Sequence, residues 1–334
     1  MKKEIALTAL LLGLIITAMS TVAFAQTVNV TIGYPSNSNG DLGITTSNSY
    51  WIGQFPITVN GGSPGEAYCL TPAGTIYEGS TYTANEVTVP DNSTWEAISY
   101  ILSWNAPTTS EQAASDQVAI WEILGNNPPY ADFTLDSTTI ADATALVSAA
   151  SGMNVAHSGD TLTWISPSTG NTSAVPGETV TFQVQLKNSS GTPRPNVQID
   201  FNATLQPPSG PSITLNSTYV NSMQAFADSN GNAQVSVTVP SDAALGSTIQ
   251  VQASTQSVWP QEYLDLTNNN PSLQNIIGIG PALCLTVSTS ISITGFIMVT
   301  PESAIGALSM IAAFAAAFLI YTKLKRPTKK ATNL

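Results

Sequence analysis

The chain is sparing with the side chains that usually carry chemistry: it has two cysteines, Cys69 and Cys284, and one histidine, His157. Two cysteines outside a cell point first to a disulfide. Cys69 stands in the N-terminal half and Cys284 follows the last patterned strands, however, so joining them would require the two halves to fold back on each other. A cysteine protease needs a histidine beside its thiol, and His157 follows a Gly-Met-Asn-Val-Ala loop with no recognisable protease context. One histidine and two distant cysteines do not supply a zinc site. The run Asp228-Ser-Asn230-Gly231-Asn232 invites a calcium reading, but its glycine is fourth where an EF-hand loop needs it sixth, so it reads as a turn. Two words remain: Tyr68-Cys69-Leu70, and Gln117-Val118-Ala119-Ile120-Trp121.

Gln117 is positioned by a helix. Thr108 with Glu111 three residues on forms a capping box, the run Glu111–Leu124 contains no Gly or Pro, and Gly125 follows as a stop. Ala113, Gln117, Ile120, Trp121 and Leu124 then share one face at the 3.6 period, which turns Gln117 inward. Further helices are expected over Ser93–Trp104 and Ser137–Ala150, and strands between Val28 and Val59, around Cys69 and over Thr161–Ile165, together an α+β unit. Beyond the turn-rich stretch Ser166–Gly177, the runs Thr179–Leu186, Val197–Leu205 and Ala233–Val239 alternate apolar with polar, which predicts an all-β unit. The expected organisation is a first domain over 26–167, a linker over 168–177 and a β-sandwich over 178–296, each domain folding alone.

Taken singly, an inward glutamine beside tryptophan is an amide bonded to backbone at the edge of a core, and a buried cysteine is inert packing. Together the two words resemble the thioester domains of Gram-positive surface adhesins. That family carries an aromatic-Cys-hydrophobic motif and, some tens of residues later on a helix, a hydrophobic-Gln-x-Ala-hydrophobic-Trp motif. The resemblance covers roughly Val28 to Ile165. Asp116 departs from it, standing before Gln117 where the family prefers an apolar residue. The segments Pro176–Phe201 and Ala227–Pro240 resemble the bacterial Ig-like repeats of surface adhesins, which implies a stalk of two antiparallel sheets packed face to face.

The resemblance implies that Cys69 and Gln117 are joined covalently. A thiolate attacks the carboxamide carbon and expels ammonia, leaving an acyl thioester; enforced proximity and oxyanion donors must compensate for the poor electrophile. Tyr68 and Trp121, with Trp95 or Trp104, would exclude water. The implied function is adhesion: an amine or hydroxyl on another cell, host or matrix attacks the Gln117 acyl carbon and frees Cys69. The acyl group is consumed once, so the protein is not an enzyme, and no cofactor is called for. The alternative is a non-covalent envelope structural or glycan-binding surface protein with a free Cys69 thiol.

The expected export and anchoring fit a cell-surface location. Lys2 and Lys3 precede an apolar run closed by Ala23-Phe24-Ala25, a signal peptide over 1–25. The segment 303–321 is long and apolar enough to span a membrane once, and the basic tail 322–334 places that end in the cytoplasm. Between them stand two basic and twenty acidic residues, a formal charge of −18, which excludes nucleic acid as a partner. Lys187 is the sole lysine there, as suits a domain bearing an amine-reactive bond. Asn29, Asn92, Asn171, Asn188, Asn202 and Asn216 begin sequons for N-glycosylation. Pro301-Glu302 ahead of the apolar segment resembles an exosortase-type sorting signal, and no Leu-Pro-x-Thr-Gly wall signal is present, which favours an archaeal cell envelope.

Overall fold

The computed structural model describes residues 26–36, 41–46, 50–72, 74–126, 135–167, 172–260, 262–267 and 270–294. The expected signal peptide, membrane span, basic tail and Asn171 lie outside them. Among the described residues no helix is long and apolar enough to cross a membrane.

The N-terminal strands are β1 (Thr27–Ile32), β2 (Gly43–Thr45), β3 (Trp51–Gly53), β4 (Phe55–Val59), β5 (Pro64–Cys69) and β6 (Thr81–Thr88). Among the described residues three helices follow: α1 (Ser93–Trp104), α2 (Ser110–Ile123) and α3 (Ser137–Ala150). Period-two alternation decides what β1 buries: Val28, Val30 and Ile32 are inside while Thr27 and Asn29 face out. With Phe55, Ile57, Ala67 and Ala84 they fill a barrel. The outer face of the barrel, where Tyr68 lies, is covered by Trp95, Ile98 and Leu102 of α1 and Ile120 of α2.

The remaining strands are β7 (Thr161–Ser166), β8 (Ser173–Ala174), β9 (Thr179–Lys187), β10 (Gln198–Gln206), β11 (Ile213–Thr214), β12 (Gln224–Phe226), β13 (Asn232–Thr238), β14 (Thr248–Ser257), β15 (Glu262–Asp265), β16 (Ile276–Gly278) and β17 (Leu283–Ile293). One sheet runs β11-β10-β14-β17-β8, with β12 also on β10, and a second runs β13-β9-β7. Phe182, Val184 and Leu186 of the second sheet share one core with Ile199, Phe201, Ile249 and Val251 of the first, so the two sheets pack face to face. The turn read at Asp228 is present: its carboxylate accepts from the backbone N–H groups of Asn230 and Asn232. Gly231 has φ 73° there, and a Cβ would run into the Leu186 carbonyl, so both conformation and space require glycine.

The chain is mostly β with few helices, but its strands are shared out differently from the sequence expectation. The barrel closes in the order β1-β4-β5-β16-β15-β6. Residues 262–278, expected within the stalk, therefore supply two of the first unit's strands, with Ile276 opposite Cys69 and Tyr263 opposite Val87. Conversely β7, expected in the first unit, pairs with β9 of the sandwich, Leu162 opposite Leu186. All three are short strands; β15 and β16 pair with strands far away in sequence and β7 with the second strand after it, and local pattern does not encode partner choice. A smaller correction concerns α2. Its N-cap is Thr109, with Gln112 closing the capping box, one residue later than Thr108 and Glu111.

Candidate functional site

Cys69 is the last residue of β5. The register of β5 with β4 ends at Ala67 opposite Phe55, whereas on the other edge the Leu70 N–H donates to the Asn275 carbonyl at 2.7 Å. Successive backbone groups of a strand point to opposite sides, so the Cys69 N–H and C=O face the edge that β4 has already left. Gln117 of α2 fills that gap. The Cys69 N–H donates to Gln117 Oε1 at 2.8 Å, and Gln117 Nε2 donates to the Cys69 carbonyl at 2.7 Å. The carboxamide thus pairs with the strand as another strand's backbone would.

The helix that delivers Gln117 is buried on more than one side. Every residue from Ala113 to Trp121 is buried, because α2 lies between β2 and β3, α1 and α3. Small residues make this possible: Ala114, Ala119 and Ala143 belong to one cluster, and Ser115 Oγ donates to the Thr139 carbonyl. Gln117 is 1% exposed, so its two hydrogen bonds satisfy an amide that water does not reach. Burial pushes the Cys69 thiol up to about 12, so it is protonated at neutral pH.

Tyr68 and Asp116, the residues immediately before Cys69 and Gln117, meet on the opposite face of β5. The Tyr68 hydroxyl donates to Asp116 Oδ2 at 3.1 Å, and Asn105 Nδ2 donates to Asp116 Oδ1 at 2.5 Å. Burial raises the Asp116 carboxyl to about 7 although both donors pull it down, and burial next to Asp116 raises the Tyr68 phenol as well.

The residues expected to shield the site are distributed unevenly. Trp121 is buried in the cluster against which Cys69 packs. Tyr68 lies in a separate cluster with Trp95, whose ring stacks on Tyr263 at 5.6 Å. A cavity of about 120 Å³ opens beside Cys69, with Tyr50, Trp51, Phe55, Ile76, Glu78 and Gln274 among its lining residues. The sequence offers no signal for the cavity, since its walls come from four separate segments, one of them at Gln274. Nothing in the sequence marks Asn105, and Asp116 stands out there only as a departure from the family pattern.

Other residues of chemical interest are engaged elsewhere. His157 Nε2 lies 2.9 Å from Glu96 Oε1, and its ring lies against Trp259 with centroids 3.8 Å apart. Asp91, Glu96 and His157 place ligand atoms within 4.8 Å of one another, but Arg194 already sits 3.4 Å from the same Glu96 oxygen and also pairs with Asp160. Cys69 and Cys284 form no disulfide, and Cys284 is exposed on β17. Of the described sequon residues, Asn29, Asn92, Asn202 and Asn216 are exposed and Asn188 is half-buried. Asn92 caps α1, accepting from the Thr94 and Trp95 N–H groups.

No family model and no curated protein matches the chain. Among solved structures it is similar to one described as the Bacillus anthracis TIE protein, at 13% identity and a TM-score of 0.32, over 80% of this chain and 49% of that one. The chain therefore spans about half the length of that protein. It is also similar to a pilus-presented adhesin, Spy0125 (Cpa), at 11% identity and a TM-score of 0.27, over 80% of this chain and 75% of that one. At these scores neither likeness carries function from those proteins to this chain.

Proposed function

We propose that the chain is a cell-surface adhesin that attaches covalently to amine or hydroxyl groups on another cell, host or matrix, through a thioester between Cys69 Sγ and the Gln117 side-chain carbon. The observation that carries this reading is the reciprocal bonding of the Gln117 amide to the Cys69 backbone. It fixes the electrophile beside the residue that bears the nucleophile, the proximity on which such a closure depends. The Cys69 N–H already points at Gln117 Oε1, the atom that becomes the oxyanion when sulfur adds to the carbon, so the stabilising donor is in place before reaction. Closure forms the S–C bond and breaks the C–N bond, and the leaving nitrogen takes up the thiol proton and departs as ammonia. A target amine then adds to the acyl carbon and the Cys69 thiol leaves, regaining a proton. The chain is spent in one turnover and is not an enzyme. The sandwich acts as the stalk, and the −18 charge of the outer region keeps polyanions away.

One fact favours a second reading. Both polar ends of the Gln117 carboxamide are satisfied by backbone, as in an ordinary core amide, and Cys69 would then remain a free thiol in a non-covalent surface protein. Intact mass separates the two. A thioester makes the outer region, Gln26 to about Thr300, about 17 Da lighter than its sequence, while Cys69→Ala and Gln117→Ala each restore the calculated mass. Methylamine should add its whole mass at Gln117 in the wild type and nothing in Cys69→Ala. An unshifted wild-type mass, in protein never exposed to amines, overturns the covalent reading.

A further inference from the structure

Strand β5 and helix α2 are joined by two adjacent pairs of residues, one at the open edge of the strand and one on the face where the Tyr68 side chain lies. At the open edge the Cys69 backbone meets Gln117; on the face, the Tyr68 side chain meets Asp116, which Asn105 also bonds. We propose that Asp116 is a positioning residue for thioester closure, holding α2 in register with β5 through the Tyr68 hydroxyl so that Gln117 stays on Cys69. The inference rests on the thioester reading of the site.

Three features support a positional role. Asp116 is 1% exposed, and a buried carboxylate is a costly choice where a neighbouring helix residue is usually apolar. Its two oxygens are taken up by groups from different elements, β5 and the segment after α1, so it ties the helix to two fixed points. The hydrogen-bonded pairs are consecutive along both the strand and the helix. A slide of α2 along β5 that broke the Tyr68–Asp116 bond would therefore also lift Gln117 off the Cys69 backbone. Misplacement of about 1 Å at reacting atoms can slow a reaction about 100-fold.

The test follows closure in protein that stays folded. In the full chain purified in detergent, ammonia adds to the Gln117 acyl carbon, the C–S bond breaks and the mass rises by about 17 Da; removing ammonia lets the bond re-form with loss of the same mass. The rate of that second step is compared with Tm in the wild type, Asp116→Leu, Asp116→Asn, Tyr68→Phe and the Asp116→Leu, Tyr68→Phe double variant. Asp116→Leu should close about 10- to 100-fold more slowly while its Tm at pH 8 equals or exceeds that of the wild type, since an apolar residue replaces a buried carboxylate. Asp116→Asn, which keeps an oxygen acceptor, should recover most of the rate, and Tyr68→Phe should slow closure without adding to the effect of Asp116→Leu. Closure of Asp116→Leu at the wild-type rate would overturn the proposal, as would a loss of rate that only follows a loss of Tm in every variant. Wild-type protein that gains no mass with ammonia would instead show that the thioester reading has failed, and the positional role with it.

Discussion

Asp116 makes the stability of this protein depend on pH in a direction opposite to that of a paired surface carboxylate. Its carboxyl titrates near 3.8 in the unfolded chain and about 7 in the folded one, with burial as the leading cause. Between those values the native state keeps a proton that the unfolded state has released, so the contribution of Asp116 to stability is greatest below pH 3.8 and declines as pH rises toward 7, then levels. At about 1.36 kcal/mol for each pH unit of that interval, the full cost is about 4 kcal/mol. Asp116→Asn removes the titration while keeping the size of the side chain. Its own change in hydrogen bonding is a constant offset that cancels when two pH values are compared. The assay is urea unfolding at several pH values from 4 to 8, with both proteins carrying Cys69→Ala so that no crosslink enters either state. The stability of Asp116→Asn relative to its parent should grow by up to about 4 kcal/mol between pH 4 and 7.5. A difference that stays constant with pH would show that Asp116 is not held protonated by the fold, and the account of its burial would be wrong.

Two further outcomes follow from the same geometry. A fragment ending at Pro167 lacks β15 and β16, leaving unpaired the edges of β5 and β6 that they cover; it should show no cooperative unfolding transition and no thioester, and a fragment that does both would contradict the closed barrel. In a Cys284→Ser protein whose Cys69 is freed by Gln117→Met, alkylation by iodoacetamide should still rise about tenfold per pH unit at pH 9 to 10, because the thiol is held at about 12. A rate that levels off below pH 9 would mean the thiol is not desolvated.

Much of the local structure was legible in the chain. Ser93–Trp104 and Ser137–Ala150 are helices at the residues expected of them, because capping residues and glycine stops act within one turn of the helix they bound. The sandwich strands β9, β10 and β13 were visible because each buries alternate residues against a partner sheet, a pattern a single strand carries in itself. The inward direction of Gln117 likewise follows from its own helix. The placement of the α2 cap was off by one, since Thr108 and Thr109 offer the same hydroxyl and only the competition between Glu111 and Gln112 for the backbone separates them.

What the sequence determined by itself, then, are features set by neighbours in the chain: the helices, the alternation of the strands, the two words that hold Cys69 and Gln117, and the acidity of the region between the terminal segments. Tertiary structure alone decided what depends on the choice of partner. Ile276 reaches Cys69 across more than two hundred residues, and Thr161–Ser166 crosses to the sandwich, because short strands take whichever open edge the fold presents. The meeting of Tyr68, Asn105 and Asp116 is of the same kind. A carboxylate that reads along the chain as a flaw in an apolar motif is satisfied only once a strand and a neighbouring helix bring their donors to it.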